Sequence, residues 1–362
     1  MNKTVYILGA GFSMSAGAPS QEKIVEKIFE IHNTNPSEFE INAINKFVEF
    51  LLTTLNIPHE LHTKVPLEDI FTPIDRALLD NTSFRNLNVL EIKVIREIIY
   101  YLIGKTLQVI LRTSNKDYIN QFAEYIVKQC SIRSNKSYRD YDNVSIISTN
   151  WDILLDNSIK KILDRDYSDP QGVVDYCCYI SSYQENDETI KPGLKILGGG
   201  GFNVKLLKLH GSLNWLQCPR CQRLYIDFHQ KISVDNNSNC RHCDKNFQSL
   251  SSHRLTSNLI MPTFLKDLSN PQYKLIWQNA GVELSEAERI IFIGYSLPSA
   301  DFEMRQLLSR MVRDNAAITV VDFGEEQSEI IKNMKMRYKT FFGNRSIDFC
   351  LDGAKKYIEE NL

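Results

Sequence analysis

Two Cys-x2-Cys pairs, Cys218-Pro219-Arg220-Cys221 and Cys240-Arg241-His242-Cys243, are separated by eighteen residues and begin eight positions after His210. Each short pair can turn both thiolates onto one tetrahedral ion, and this spacing is that of a two-knuckle zinc ribbon. A four-thiolate site is closed and structural, so Zn2+ is expected between Cys218, Cys221, Cys240 and Cys243. Residues 214–256 are then a small ribbon module set into something larger. The other cysteines, Cys130, Cys177, Cys178 and Cys350, are scattered, which suits reduced thiols rather than a disulfide framework.

The larger body announces itself at the start of the chain. Thr4 to Leu8 is a short apolar strand, Gly9-Ala10-Gly11-Phe12-Ser13-Met14 a glycine turn, and Ser20 to about Ile31 a periodic helical stretch. That order opens a doubly wound α/β sheet. Strand signals return at Val144–Thr149, Val204–Leu209, Ile290–Gly294 and Ile318–Asp322, separated by helical segments such as Asp152–Leu163 and Asp301–Val312. The near-continuous apolar runs suit strands buried on both faces, so the fold expected is a mostly parallel Rossmann-like sheet built from residues 1–31, 143–213 and 257–362. Between 32 and 142 apolar residues recur at three- and four-residue intervals, as in Val89-Leu90-Ile92-Val94-Ile95-Ile98-Ile99, and a helical insertion large enough for its own bundle is expected there. Gly198-Gly199-Gly200-Gly201 reads as a turn before a strand, since no helix start follows it.

Net charge is −2 at a pI of about 6.4, so no global positive field draws the chain to nucleic acid or to an acidic membrane. No apolar run approaches the ~18 residues of a membrane span. The first residues lead straight into a strand, with no cationic region, apolar stretch and cleavage site in succession, so a cytoplasmic location is expected.

Ligands of open α/β sheets lie beyond the carboxyl ends of the strands, and that is where the polar residues of this chain gather. Gly9-x-Gly11 fits a backbone approaching a pyrophosphate, although Met14 stands where a third glycine would complete the dinucleotide fingerprint; a plain strand-to-helix turn is the alternative. Asn150 and Asp152 straddle the next strand-to-helix junction, where either could instead cap the helix. His210 ends a strand beside Gly211-Ser212, and an unperturbed imidazole titrates near neutrality, which suits the side chain to a general base. Gly294-Tyr295-Ser296-Leu297 offers amides and a hydroxyl, and Asp322, after another strand, can hold ribose hydroxyls.

In order, these pieces resemble the sirtuin family: Gly9-Ala10-Gly11-Phe12-Ser13 through Pro19 its first motif, Thr149-Asn150-Trp151-Asp152 its asparagine-aspartate motif, Leu209-His210-Gly211-Ser212 its histidine motif, then the ribbon, then Gly294-Tyr295-Ser296. The resemblance implies NAD+ as ligand and cleavage of its nicotinamide-ribose bond. Gly9, Ala10, Gly11 and Ser13 would hold the pyrophosphate side, with Gly294, Ser296 and Asp322 as further cofactor contacts. Asn150 would orient the ribose and the attacking group, Asp152 would receive the nicotinamide amide, and His210 would take a proton. Where the deacylases carry Asp-Phe-Arg, whose ring shields the ribose from water, this chain has Ser20-Gln21-Glu22, and Leu259-Ile260-Met261-Pro262-Thr263-Phe264 lacks their Phe-Gly-Glu stretch. The chain therefore looks closest to the bacterial sirtuin-like NAD hydrolases of anti-phage defence. That implies an NAD+ glycohydrolase giving nicotinamide and ADP-ribose, a homo-oligomer, and activation by a trigger or a partner such as a hexameric ATPase. An NAD-dependent protein-lysine deacylase and a non-catalytic NAD/ADP-ribose sensor are the alternatives.

Overall fold

The computed structural model describes residues 3–32, 36–112, 114–138, 140–167, 171–183, 193–226, 238–247, 253–261, 263 and 266–362. Pro262 and Phe264 of the stretch after the ribbon lie outside them. Seven strands form one parallel sheet: β1 (Thr4–Leu8), β2 (Val144–Ser148), β3 (Gly172–Asp175), β5 (Phe202–Lys208), β9 (Arg289–Ile293), β10 (Ala317–Val321) and β11 (Ile347–Cys350), in the spatial order β11-β10-β9-β1-β2-β5-β3. A second, four-stranded sheet takes β4 (Ile180–Ser182), β6 (Gly211–Gln217), β7 (Leu224–Ile226) and β8 (Thr256–Leu259) in the order β4-β7-β6-β8.

The order reverses at β1. The chain winds from β1 towards β2 on one side and later from β9 through β10 to β11 on the other. Right-handed crossovers going in opposite directions place their helices on opposite faces, which makes the sheet doubly wound. Asp117–Ser131, Leu154–Asp166 and Gly353–Asn361 pack together as one helical layer, and Pro271–Glu286 packs beside Phe302–Met311. With both faces covered, β1, β2 and β9 can be almost wholly apolar, and Val5, Ile7, Ile146, Ile147, Ile290 and Phe292 are sealed from solvent.

The described residues between 36 and 138 are mostly helical. Two of the helices start where the sequence supplies caps: Ser37 with Glu40 ahead of Glu38–Glu49, and Asn88 with Glu91 ahead of Val89–Leu111, each a reciprocal capping box. These helices do not enclose a core apart. Phe47, Ile70 and Ile99 belong to the same continuous apolar cluster as Ile146 and Leu207 of the sheet, and the Tyr100 hydroxyl donates to the Leu259 carbonyl at 2.8 Å. Asp117–Ser131 is itself the crossover helix into β2, with Phe122 edge-on to Tyr6 at 5.2 Å.

Near the amino ends of the strands lies a buried charge network. Lys3 is paired with Asp142 at 2.8 Å and with Glu283 at 2.7 Å, and Lys205 reaches the same two carboxylates at 2.5 Å. Burial would lift the Asp142 carboxyl, but the two lysines outweigh it and hold it below the ordinary carboxylate range. Burial works the other way on Lys3, yet its acidic partners raise it above a free lysine. Asp142 therefore contributes stability that is present above a free carboxylate's pKa of about 3.9 and lost as pH falls through its lower folded value; Lys3's contribution is present below about 10.4 and lost as pH rises through its higher one. Lys3→Met should cost about 3 kcal/mol in urea unfolding at pH 7, because it strands buried carboxylates. The gap to wild type should close as pH drops below about 4; an equal gap at both pH values would remove the network from the account.

Candidate functional site

Six of the seven main strands end in one transverse row. The pairings Cys350–Val321, Val321–Ile293, Ile293–Leu8, Leu8–Ser148 and Ser148–Lys208 join the last residue of each strand to that of its neighbour. Backbone bonding continues one residue further at every step. Asp322 N–H donates to the Cys350 carbonyl, Gly294 to Val321, Gly9 to Ile293, Thr149 to Leu8 and Leu209 to Ser148, all between 2.8 and 3.1 Å. Asp322, Gly294, Gly9, Asn150 and His210 thus leave the sheet side by side along its carboxyl edge. Asn150 and His210 stand two residues beyond the row on adjacent strands, which brings the two proposed catalytic groups to the same edge.

At the reversal point the two glycine turns touch. Gly11 N–H donates to the Gly294 carbonyl at 2.9 Å. A Cβ on Gly294 would sit 2.2 Å from the Gly11 carbonyl carbon, and its φ of +63° already disfavours any other residue. A Cβ on Gly9 would meet the Gly294 oxygen at 2.5 Å. These glycines are therefore required by the approach of two backbones, and the N–H groups of Gly9 and Gly11 are spent on protein carbonyls. The short helix Ala10–Met14 follows, with Ala10 exposed and Ser13 buried.

The polar groups of the asparagine-aspartate motif converge on Ser13. Its hydroxyl donates to Asp152 Oδ2 at 2.8 Å, and Asn150 Nδ2 reaches the Gly9 carbonyl at 2.9 Å and Ser13 Oγ at 3.4 Å. Asp152 also accepts the Leu154 N–H at 3.1 Å, so it does serve the start of the helix as well as facing the turn. Burial pushes the Asp152 carboxyl upward, and Lys208 and Ser13 hold part of that rise in check.

Beneath this cluster is a narrow cavity of about 10 Å3 lined by Asn150, Asp152, Asp156 and Lys208 over Leu8, Phe12 and Leu206. That is about the room of one water molecule and far below the roughly 300–1,000 Å3 of a complete small-molecule site, so a ring enters only if the lining side chains move apart. A more open groove of about 360 Å3, lined by Phe50, Leu87, Leu90 and Val94 of the insertion, shares no residue with it.

Two buried charges here were not singled out from the sequence. Lys208, 1% exposed, donates to the Asp152 carbonyl at 2.5 Å and pairs with Asp156 at 3.1 Å, while Tyr176 donates to Asp156 at 2.9 Å. Asp301 accepts the Tyr295 hydroxyl at 2.7 Å, pairs with Lys266 at 2.8 Å and lies 3.4 Å from His210 Nε2. Tyr295 consequently points into the protein, stacked on Phe292, and only Ser296 of that loop is exposed. A lysine in a strand covered on both faces was the available signal for Lys208. Asp322 is half-buried; burial pushes its carboxyl up, opposed by the Phe323 N–H and by Arg337.

The four ribbon cysteines meet. All four sulfurs lie within 4.8 Å of one another, and Cys218–Cys243 and Cys221–Cys240 are each 3.7 Å apart. A tetrahedron with Zn–S bonds of about 2.3 Å has edges of about 3.8 Å, which the two 3.7 Å separations match, so the four thiolates are compatible with a zinc ion. Cys218 is one residue beyond β6, and Cys240 and Cys243 lie at the start of the helix Arg241–Asn246.

No helix of the described residues is long and apolar enough to cross a membrane. No protein-family model and no curated protein matches the chain. Among solved structures it is similar to a Sir2 homologue in complex with NAD, at 13% identity over 99% of this chain and 87% of that one, with a TM-score of 0.45. It is also similar to a mutant Sir2 homologue in complex with ADP-ribose, at 12% identity over 99% and 89% with a TM-score of 0.44. Superpositions this loose locate no site residue.

The glycine contact and the metal each yield a test. Gly294→Ala, which forces a side chain into the Gly11 backbone, should lower stability by about 1–3 kcal/mol or more on thermal unfolding; an unchanged Tm would refute the close approach. Purified protein should carry one zinc per chain by elemental analysis, and Cys218→Ser should lose it together with thermal stability. Full zinc retention in that variant would exclude Cys218 as a ligand.

Proposed function

We propose that the chain is an NAD+ glycohydrolase, cleaving the nicotinamide-ribose bond to give nicotinamide and ADP-ribose. The observation that carries this reading is the shared strand-end row, which sets Asn150, Asp152 and His210 along the same edge as the contact between the Gly9-Gly11 and Gly294 turns. Five motifs in the order that resembles a sirtuin support it from the sequence.

Each residue has a role that its surroundings allow. Ala10 and Ser296 are exposed residues of the two glycine turns and would meet the phosphates, and Asp322, one residue beyond β10, would hold ribose hydroxyls. Asp152 stands on the wall of the narrow cavity below Asn150, where it would receive the carboxamide once the lining side chains part to admit a nicotinamide ring. Asn150, anchored to the Gly9 carbonyl, orients the ribose and the incoming water. As the C1′–N bond breaks, its electron pair leaves with nicotinamide, the water oxygen bonds to C1′, and a water proton passes to His210. The oxocarbenium-like transition state is positive, and the partial charges of the Asn150 and backbone carbonyl oxygens at the strand ends favour it.

Water rather than an acyl group is the acceptor because the aromatic shield after the first motif is replaced. Ser20-Gln21-Glu22 instead leads a short 3-10 turn, and Gln21 is bonded to Glu68 of the insertion at 2.5 Å. The sequence resemblance further suggests a cytoplasmic, oligomeric effector of anti-phage defence, released by a trigger or by a partner such as a hexameric ATPase. That extension rests on the resemblance alone.

Incubation with NAD+ and no acylated peptide should release nicotinamide, read by chromatography. Asn150→Ala and His210→Ala should each reduce the rate by about 100-fold or more, with unchanged thermal unfolding. Nicotinamide release that requires an acyl-lysine peptide would instead establish a deacylase, and tight NAD+ binding without turnover under activating conditions would establish a sensor.

A further inference from the structure

Asp301 immediately precedes the helix Phe302–Met311, where an aspartate ordinarily caps the first turn. Its side chain makes no capping bond. It turns inward, 5% exposed, to a cluster drawn from three separate segments: Tyr295 of the same loop donates to Oδ2, Lys266 pairs with Oδ1, and His210 Nε2 faces that same Oδ1 at 3.4 Å. The side chains of Lys266 and His210 are 1% and 12% exposed, so the charges meet with little water between them. His210 Nε2 is buried with no hydrogen bond of good geometry, and Asp301 Oδ1 is held only by its ion pair with Lys266. A small rotation of the imidazole would join the two.

We propose that Asp301 is the positioning carboxylate of His210. It takes the Nε2–H, which fixes the ring's tautomer and leaves Nδ1 as the nitrogen that accepts the proton from water. The arrangement is that of a carboxylate-histidine pair, in which the carboxylate does not take the proton itself but steadies the imidazolium that forms. Burial alone would lift the Asp301 carboxyl. His210 and Lys266 together hold it well below the usual carboxylate range, so it is an anion at neutral pH. Tyr295 and Lys266 pin that anion in place, which explains why Tyr295 is turned into the protein rather than out to a ligand. Among the described residues, the charged and titratable groups gathered at this carboxylate are His210, Lys266 and Tyr295, Lys266 being shared with Glu303 at 2.9 Å, and the Trp277 ring lies beside the imidazole at 6.4 Å.

The inference rests on His210 being the proton acceptor of the proposed hydrolysis, and two readouts separate the claims. In Asp301→Asn, nicotinamide release from NAD+ should fall by about 100-fold or more in kcat with little change in KM. The acid limb of its pH profile should move to lower pH, because the variant no longer favours the imidazolium. Independently of turnover, histidine-selective 15N NMR should show the His210 ring titrating at lower pH in Asp301→Asn and losing its preference for the Nε2–H tautomer. Lys266→Met removes the cation competing for Oδ1 and should move the His210 titration upward, which decides the question if Asp301→Asn does not fold. A His210 ring that titrates alike in wild type and variants would overturn the pairing. No nicotinamide release from any form, with the NMR shifts present, would sink the hydrolase reading and leave the pairing intact.

Discussion

The contact between two peptide backbones at the reversal point governs the rest of the molecule. Gly11 and Gly294 come so close that neither could carry a side chain, and the bond between them ties the turn after β1 to the turn after β9. These two strands begin the two halves of a doubly wound sheet. Holding their carboxyl ends together keeps the transverse row in register from Cys350 to Lys208, and the row in turn sets where Asn150, His210 and Asp322 emerge. Packing of apolar strands supplies the stability; this contact supplies the alignment.

Charge is distributed to match. Near the amino ends, Lys3, Lys205, Asp142 and Glu283 neutralise one another in a compact network. At the carboxyl edge the buried charges are also paired, Lys208 with Asp156 and Lys266 with Asp301, but each pair lies against a residue of the proposed site. Lys208 holds the Asp152 carbonyl, and Asp301 faces His210. Burying an ion pair rarely adds much net stability. Its value here is positional, since a desolvated charge fixes the orientation of the group it touches.

Much of this was legible in the residues themselves. β1, β2, β5, β9 and β10 are apolar enough to be read as buried strands, and polar side chains stand just beyond their carboxyl ends. The edge strands were harder. β3 carries Asp175 among four residues, and β11 alternates Ile347-Asp348-Phe349-Cys350 with partial exposure, so neither has the continuous apolar run of an inner strand. The cysteine spacing foretold a tetrahedral cluster, and the sulfurs form one. Hidden from the sequence were Lys208, Asp156, Lys266 and Asp301, because charged residues read as solvent-facing until a partner from a distant segment is seen beside them. Asp301 in particular looks like an ordinary helix start. The 32–142 stretch was readable as helical, but not its union with the sheet core through Phe47, Ile70 and Ile99, since periodicity gives the face of a helix and not what covers it.

The central claim is that a dinucleotide lies across the aligned strand ends. Hydrogen-exchange mass spectrometry with and without saturating NAD+ tests it most directly. Protection should appear together in the peptides spanning residues 9–14, 149–154, 209–213 and 294–298. Protection confined to the insertion groove around Phe50 and Leu90, or none at any strand end, would contradict the account.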